Sequence, residues 1–457
     1  MSRQMHLGVA INAFGSNQAS WRHPEVPRGD QTDFATHVTA ARKAEEGLFD
    51  FLFMADSLAA VWGGETPDTL GRQPPIRALD PWVLMSALSA VTEHIGLVAT
   101  VNTTYTAPPF TIARMVASLD HVSAGRVGWN LVTGANKEEA VNFGEAPHPP
   151  AEIRYERATE YAELLFKLWD SWDDDAFVCD KEEGLFFDPR MMHPANHHGK
   201  YFHARGPLTL SRSPQGRPVT VQAGNSDAGR ELAAATADVV FSVATSLESA
   251  KSFYDDVKGR LEHHGRRPGD MAILPGVQIY VGHTEDEAKQ KRAVLEASFD
   301  MVNAVHQLNV LFGADLRAYP LDEPIRDLPV DPSRGSRPYT LLEIARRENL
   351  TLRQLALRYA TLGHWILTGT PMSIADRLQE YFEGGAADGF MIQPPFMPGG
   401  LDDIVAHVIP ELQRRGLFRT RYEGTTLRDH LGLERPARRA LHSELTDGAS
   451  NFETQLA

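Results

Sequence analysis

Along this chain of 457 residues, short apolar runs alternate with longer amphipathic segments, and the alternation recurs eight times. Period-2 runs and short apolar runs predict strands over Leu7–Ala13, Phe51–Ala55, Ile95–Val101, Val127–Val132, Val219–Gln222 and Val239–Ser242. Two more are expected within Ile273–Val281 and over Gly389–Gln393. Between them the 3.6-residue spacing predicts helices over Phe34–Leu48, Pro81–Val91, Phe110–Leu119, Arg154–Trp172, Ala228–Ala235 and about Glu285–Val302, with a last one ending near Arg415. Asp80 is placed to cap the second of these, with Pro81 at its first helical position. Eight strand-then-helix units in one chain make a (β/α)8 TIM barrel the economical architecture, a single domain over residues 1–457. Two stretches exceed the repeat: residues 177–218, rich in Gly, Pro, His and aromatics, and residues 307–368. Both read as insertions over the C-terminal mouth of the barrel, where active-site lids belong. The segment after Leu417 is charged and turn-rich, and is expected to wrap the surface or a partner subunit.

Composition removes several classes of function. A formal net charge of -15 offers no basic footprint for nucleic acid or an anionic membrane. One cysteine, Cys179, excludes an internal disulfide framework and suits a reducing, cytoplasmic setting. The N-terminal apolar run is too short for a signal peptide and reads as the first strand. No apolar run reaches the roughly 20 residues of a membrane span.

The chemistry-bearing residues gather at strand ends, which in a parallel barrel face the ligand. The stretch Ser123–Gly144, SAGRVGWNLVTGANKEEAVNFG, carries Asn130 in its strand and closes it with Thr133 and Gly134. Asp56 ends the second strand; Thr100 and Asn102 close the third. Each of these residue types also serves as a turn former or cap, so position alone leaves both roles open. After the fifth strand, Gly224, Asn225 and Ser226 lead into a helix whose free N–H groups and dipole suit a phosphate, unless Ser226 is an ordinary cap. No GxGxxG, Walker A or HExxH pattern is present, and His197, His198 and His203 read as loop histidines rather than metal ligands.

The wording SAGRVGWNLVTG with AVNFG resembles the bacterial-luciferase-like flavin monooxygenases, in the subgroup of nitrilotriacetate and dibenzothiophene sulfone monooxygenases. WRHP at Trp21–Pro24, KYFHARGPL around Tyr201, GTP at Gly369, DGF at Asp388 and GLFRTRYEGTTLRDHLGL at Gly416–Leu433 extend the likeness over nearly the whole chain. The resemblance implies an FMN site in which Asp56, Thr100 and Asn130 face the isoalloxazine and ribityl chain. It likewise implies that Tyr155 of an RY motif and Ser226 of a QAGxS motif hold the phosphate. Ala151 stands where relatives often carry a His before that Tyr, and Asn17 where they often carry a His in the N-terminal loop. Asn17, His364 and aromatics such as Trp62 are the substrate-side candidates, His364 having a purely structural role as its alternative. The implied activity is a two-component monooxygenase. Reduced FMN from a separate NAD(P)H:flavin reductase, with O2, oxygenates a small organic substrate, with C–S or C–N cleavage in the relatives. A homodimer or homotetramer is implied as well. An oxidoreductase using deazaflavin F420, and a flavin-binding protein without catalysis, are the competing readings.

Overall fold

A computed structural model describes residues 3–439 except 30, 61–70, 72–78, 107, 135, 146, 245, 333–336 and 360–363; Trp62 lies outside the described residues. Eight parallel strands close on themselves: β1 (His6–Ala10), β2 (Phe51–Met54), β3 (Gly96–Asn102), β4 (Val127–Val132), β5 (Val219–Gln222), β6 (Val239–Ser242), β7 (Ala272–Val281) and β8 (Gly389–Ile392). Each pairs with the next, and β8 pairs back with β1 through His6↔Gly389 to Val9↔Ile392, so the sheet has no open edge at the seam. Helices between the strands make the fold the (β/α)8 barrel that the alternation requires. The helix Pro81–Ser89 starts as expected, with Asp80 accepting from the N–H groups of Trp82 and Val83 at 2.9 and 3.0 Å.

Alternation along each strand sorts the core into two shells. Leu7, Val9, Leu52, Leu97, Trp129 and Leu131 face the helices, while Phe51, Phe53, Val98, Val219, Val221, Leu274 and Met391 fill the barrel. The floor of the barrel is closed from an unexpected direction. Leu427, Leu431 and Leu433, from the segment read as a surface wrap, join that inner cluster and are buried. Gly96 and Gly128 make room for them: a Cβ on Gly96 would stand 2.6 Å from Leu427 Cδ1. Arg126 of the SAGR turn is buried as well, donating to the carbonyls of Ser89, Thr92, Ile95 and Ser123. That arginine serves the fold rather than a ligand.

The two excess stretches take different courses. Residues 177–218 begin and end near the N-terminal face, where Leu208 N–H bonds to Ser171 Oγ and Gln215 reaches the Val127 carbonyl. Their hairpin His197–His198 with His203–Ala204 climbs the outside of the helix Ala151–Trp169, where Glu160 accepts from the Tyr201 and Phe202 N–H groups. The single helix expected over Glu285–Val302 is two helices, Glu285–Ala297 and Met301–Phe312, because Asp300 caps a new start by accepting from Val302 and Asn303 N–H. Met301–Phe312, Arg337–Arg347 and Leu352–Tyr359 bury an apolar cluster of their own around Leu308, Phe312, Leu341 and Leu355. The chain then re-enters the sheet as an outlying parallel strand, Trp365–Gly369, paired with the overlong end of β7. The apolar periodicity of this stretch gave no hint of that pairing.

Candidate functional site at the barrel mouth

Register brings the first polar pair together. Thr100 on β3 lies opposite Asn130 on β4, both inward and nearly inaccessible. Thr100 Oγ1 donates its one proton to the Met54 carbonyl at 2.8 Å, so the Asn130 atom 2.9 Å away must be the amide donor Nδ2. Asn130 Oδ1 is then left buried without a hydrogen-bond partner among the described residues. An unmet buried acceptor costs about 1–3 kcal/mol, and at a strand end facing the mouth it marks a place for a ligand N–H. The indole of Trp82 holds the same strand end, Nε1 donating to the Thr100 carbonyl at 3.0 Å.

One layer higher, Asn102 Nδ2 donates to Glu139 Oε2 at 2.8 Å, while its Oδ1 accepts from Thr104 N–H. Glu139 also accepts from Leu58 N–H at 3.2 Å, which ties the loop after β2 to the loop after β4. Asp56, Thr100, Asn102 and Glu139 together line a cavity of about 260 Å³. Burial raises the Glu139 carboxyl above the usual glutamate range, opposed by its hydrogen bonds from Leu58 and Asn102 and reinforced by the Asp56 charge. Sequence reading passed over Glu139, because a glutamate on the helix Lys137–Asn142 looks like any solvated helical acid.

The second cluster is a candidate anion cradle. Ser226 is the N-cap of the helix Asp227–Thr236, its Oγ accepting from Gly229 N–H at 3.1 Å. The Tyr155 hydroxyl, from the first turns of Ala151–Trp169, lies 3.0 Å from the same Oγ. Two hydroxyls and an open helix N-terminus thus converge on one exposed rim. Gly224 is needed for the approach, since a Cβ there would meet Gln222 Nε2 at 2.7 Å and Gly229 Cα at 3.0 Å. Asn225 follows it with an exposed side chain and gives its carbonyl to Arg230 Nε at 3.1 Å. Arg154, beside Tyr155 in the RY pair, clamps the end of β4 by donating to Thr133 O and Oγ1, both at 3.3 Å. Ala151 contributes no polar group at this helix start; three residues earlier His148 Nδ1 stands 2.6 Å from the Tyr105 hydroxyl.

The substrate-side candidates stand on the opposite half of the mouth, against β7. His364 is buried with its ring 5.2 Å from that of Phe241, and Gly276 leaves the space it occupies. Phe241 in turn meets Phe53 across the barrel at 6.0 Å. Asn17 is also buried, its Oδ1 accepting from Ala19 N–H at 3.0 Å, and it shares a cleft with Tyr280, Arg292 and Arg358. Gly276 and Tyr280 lie on the same side of β7, which places both candidates along one wall. His197 is bound between Glu160 Oε1 and Lys167 Nζ, each at 3.2 Å, and His198 pairs with His203 in the hairpin. Among the described residues no group of three or more His, Cys, Asp or Glu could hold a metal ion, and no helix is long and apolar enough to cross a membrane.

Comparison with known proteins gives this arrangement a family. The family model of luciferase-like monooxygenases matches residues 13–388. Nitrilotriacetate monooxygenase component A of Aminobacter aminovorans is 46% identical over 443 residues, which cover 95% of this chain and 98% of that protein. Dibenzothiophene-sulfone monooxygenase of Rhodococcus erythropolis is 42% identical, covering 95% and 98%. Among solved structures, DmoA from Hyphomicrobium sulfonivorans superposes with a TM-score of 0.84 at 30% identity, covering 97% of this chain and 95% of that one. The chain belongs to the luciferase-like monooxygenase family and is an enzyme of that class.

Proposed function

We propose that this protein is the oxygenase component of a two-component system, using reduced FMN from a separate NAD(P)H:flavin reductase, together with O2, to place one oxygen atom on a small organic substrate. The observation that carries this reading is the division of labour in one half of the mouth. An anion cradle of Tyr155, Ser226 and a helix N-terminus stands on one side, and the inward Asn130 Oδ1 lacks a donor on the other. A molecule with a phosphate at one end and ring N–H groups at the other fits both, which FMN has and a bare isoalloxazine does not.

When bound, reduced flavin supplies the reactivity toward O2. The chain's own residues do the rest. Ser226, Tyr155 and the first helical turn hold the phosphate, Asn130 accepts from the ring, and Thr100 keeps that amide in its one usable orientation. Glu139 braces Asn102 and the loop after β2. Phe53, Phe241 and the His364 ring form an apolar wall that limits water at the reacting side. The relatives' names, nitrilotriacetate and dibenzothiophene sulfone, support oxygenation next to nitrogen or sulfur with C–N or C–S cleavage. The word component in the first name supports a separate partner.

The test is reconstitution. Purified chain with NADH, FMN and candidate sulfur and nitrogen compounds should be inert, and an added unrelated flavin reductase should restore oxygen transfer, read by mass spectrometry. Rapid NADH oxidation by the chain alone would overturn the two-component reading.

A further inference from the structure

The N-terminal face of the barrel holds a cluster that the mouth does not use. Near the starts of β5, β6 and β7 lies a cavity of about 240 Å³, lined by Arg217, Arg266, Arg267, Arg428 and Arg439 against three carboxylates. The lining thus holds five guanidinium groups and three acids, in a chain whose formal net charge is -15. Pairing with acids is uneven. Arg428 takes Asp238, and Arg267 takes Asp270 and Glu434. Arg266 instead donates to the neutral carbonyls of Ala234, Ala237 and Asp270, and among the described residues it makes no direct ion pair, with the Asp238 and Asp270 charges nearby.

The remaining two arginines crowd one aromatic ring. The guanidinium groups of Arg217 and Arg439 each lie 5.4 Å from the centre of the Phe166 ring. Arg217 reaches Asp170 through Nε at 2.9 Å, but that buried carboxylate is shared with Arg212 and with the Arg439 backbone N–H. Burial lowers the Arg217 pKa; the Asp170 charge opposes that, and the charges of Arg439, Arg428 and Arg212 add to it. Like charges held this close gain from a bound anion, and guanidinium forks match phosphate oxygens in pairs. Leu433 and Pro436 supply an apolar wall beside the charges.

We propose that this cavity binds a diphosphate group, free or carried by a small organic molecule, between Arg217, Arg266 and Arg439. The site is separate from the flavin cradle at the far end of the barrel, and does not depend on the reading of that cradle.

The test titrates the full-length protein calorimetrically with pyrophosphate and with ADP at low chloride. Wild type should show a saturable site at which Arg439→Ala, at an exposed position, weakens binding by about tenfold. Ser226→Asp, which puts a carboxylate into the mouth cradle, should leave this Arg439-sensitive binding unchanged. Equal affinity for the two ligands makes diphosphate alone the recognised group; tighter ADP extends recognition to the organic part along Leu433 and Pro436. Absence of saturable binding at millimolar ligand, indifference to Arg439→Ala, or loss of binding in Ser226→Asp would each overturn the proposal.

Discussion

Replacing Ser226 separates a capping role, which the structure shows, from the proposed role of its hydroxyl in holding the phosphate. Oγ accepts the Gly229 N–H at 3.1 Å and meets the Tyr155 hydroxyl at 3.0 Å. Loss of a Ser cap to Ala costs about 0.5–2 kcal/mol of stability, whether or not any ligand binds. A hydroxyl-to-phosphate bond is charge-assisted and is worth roughly 1.5–3 kcal/mol beyond that. Ser226→Ala should therefore lower the melting temperature slightly and weaken reduced FMN by about tenfold to a hundredfold. Reduced riboflavin, which has no phosphate, should bind nearly as it does to wild type. Ser226→Asp makes the separation sharp. Asp caps a helix as well as Ser, so stability should hold, yet its carboxylate faces a dianion and FMN affinity should fall below that of the Ala variant. Tyr155→Phe removes one hydroxyl and keeps the ring, so it should act like Ser226→Ala but more mildly. The assay is anaerobic titration of each protein with reduced FMN and reduced riboflavin, beside a thermal melt. Equal losses for both flavins, or wild-type FMN affinity in Ser226→Asp, would refute phosphate binding at this helix.

Three further outcomes follow from other parts of the molecule. His364→Ala should lower substrate oxygenation while reduced-flavin affinity stays within a few-fold; a variant that instead loses flavin binding or fails to fold would make the histidine structural. His430 is buried on Tyr422 with both ring nitrogens without a hydrogen-bond partner among the described residues, and burial, then the Arg419 charge, lowers its pKa from 6.5 to about 4. Its folded value lies below its unfolded one, so the stability it contributes above pH 6.5 is lost as pH falls toward 4, by at most about 3 kcal/mol. Urea unfolding at pH 7 and below pH 5 should show a shallower acid loss in His430→Phe than in wild type; an identical loss would sink the assignment. Leu427→Ala opens the barrel floor and should cost about 2–5 kcal/mol in the same unfolding assay, where a change under 1 kcal/mol would mean that the floor closes without it.

What could be read from the chain alone was whatever is encoded locally or by period. The eightfold alternation dictated a barrel, Asp80 with Pro81 announced a helix start, and Ser226 before an amphipathic run announced another. Alternation also put Thr100, Asn102 and Asn130 on inward positions at strand ends, because side chains on a strand repeat every second residue. Contacts between distant parts of the chain were a different matter. That Thr100 bonds to Asn130 depends on a register shared by β3 and β4, and that Tyr155 meets Ser226, 71 residues further on, depends on two helices starting on the same rim. Glu139 became part of the mouth only when Asn102 and Leu58 closed around it, and an exposed-looking Leu427 became the floor only when Gly96 left a space. The strand Trp365–Gly369 needed an overlong β7 to pair with. Local propensity reports the conformation of a few neighbouring residues. Register, barrel closure and the burial of single polar groups are set by packing summed over the whole chain, and only the folded structure carries out that sum.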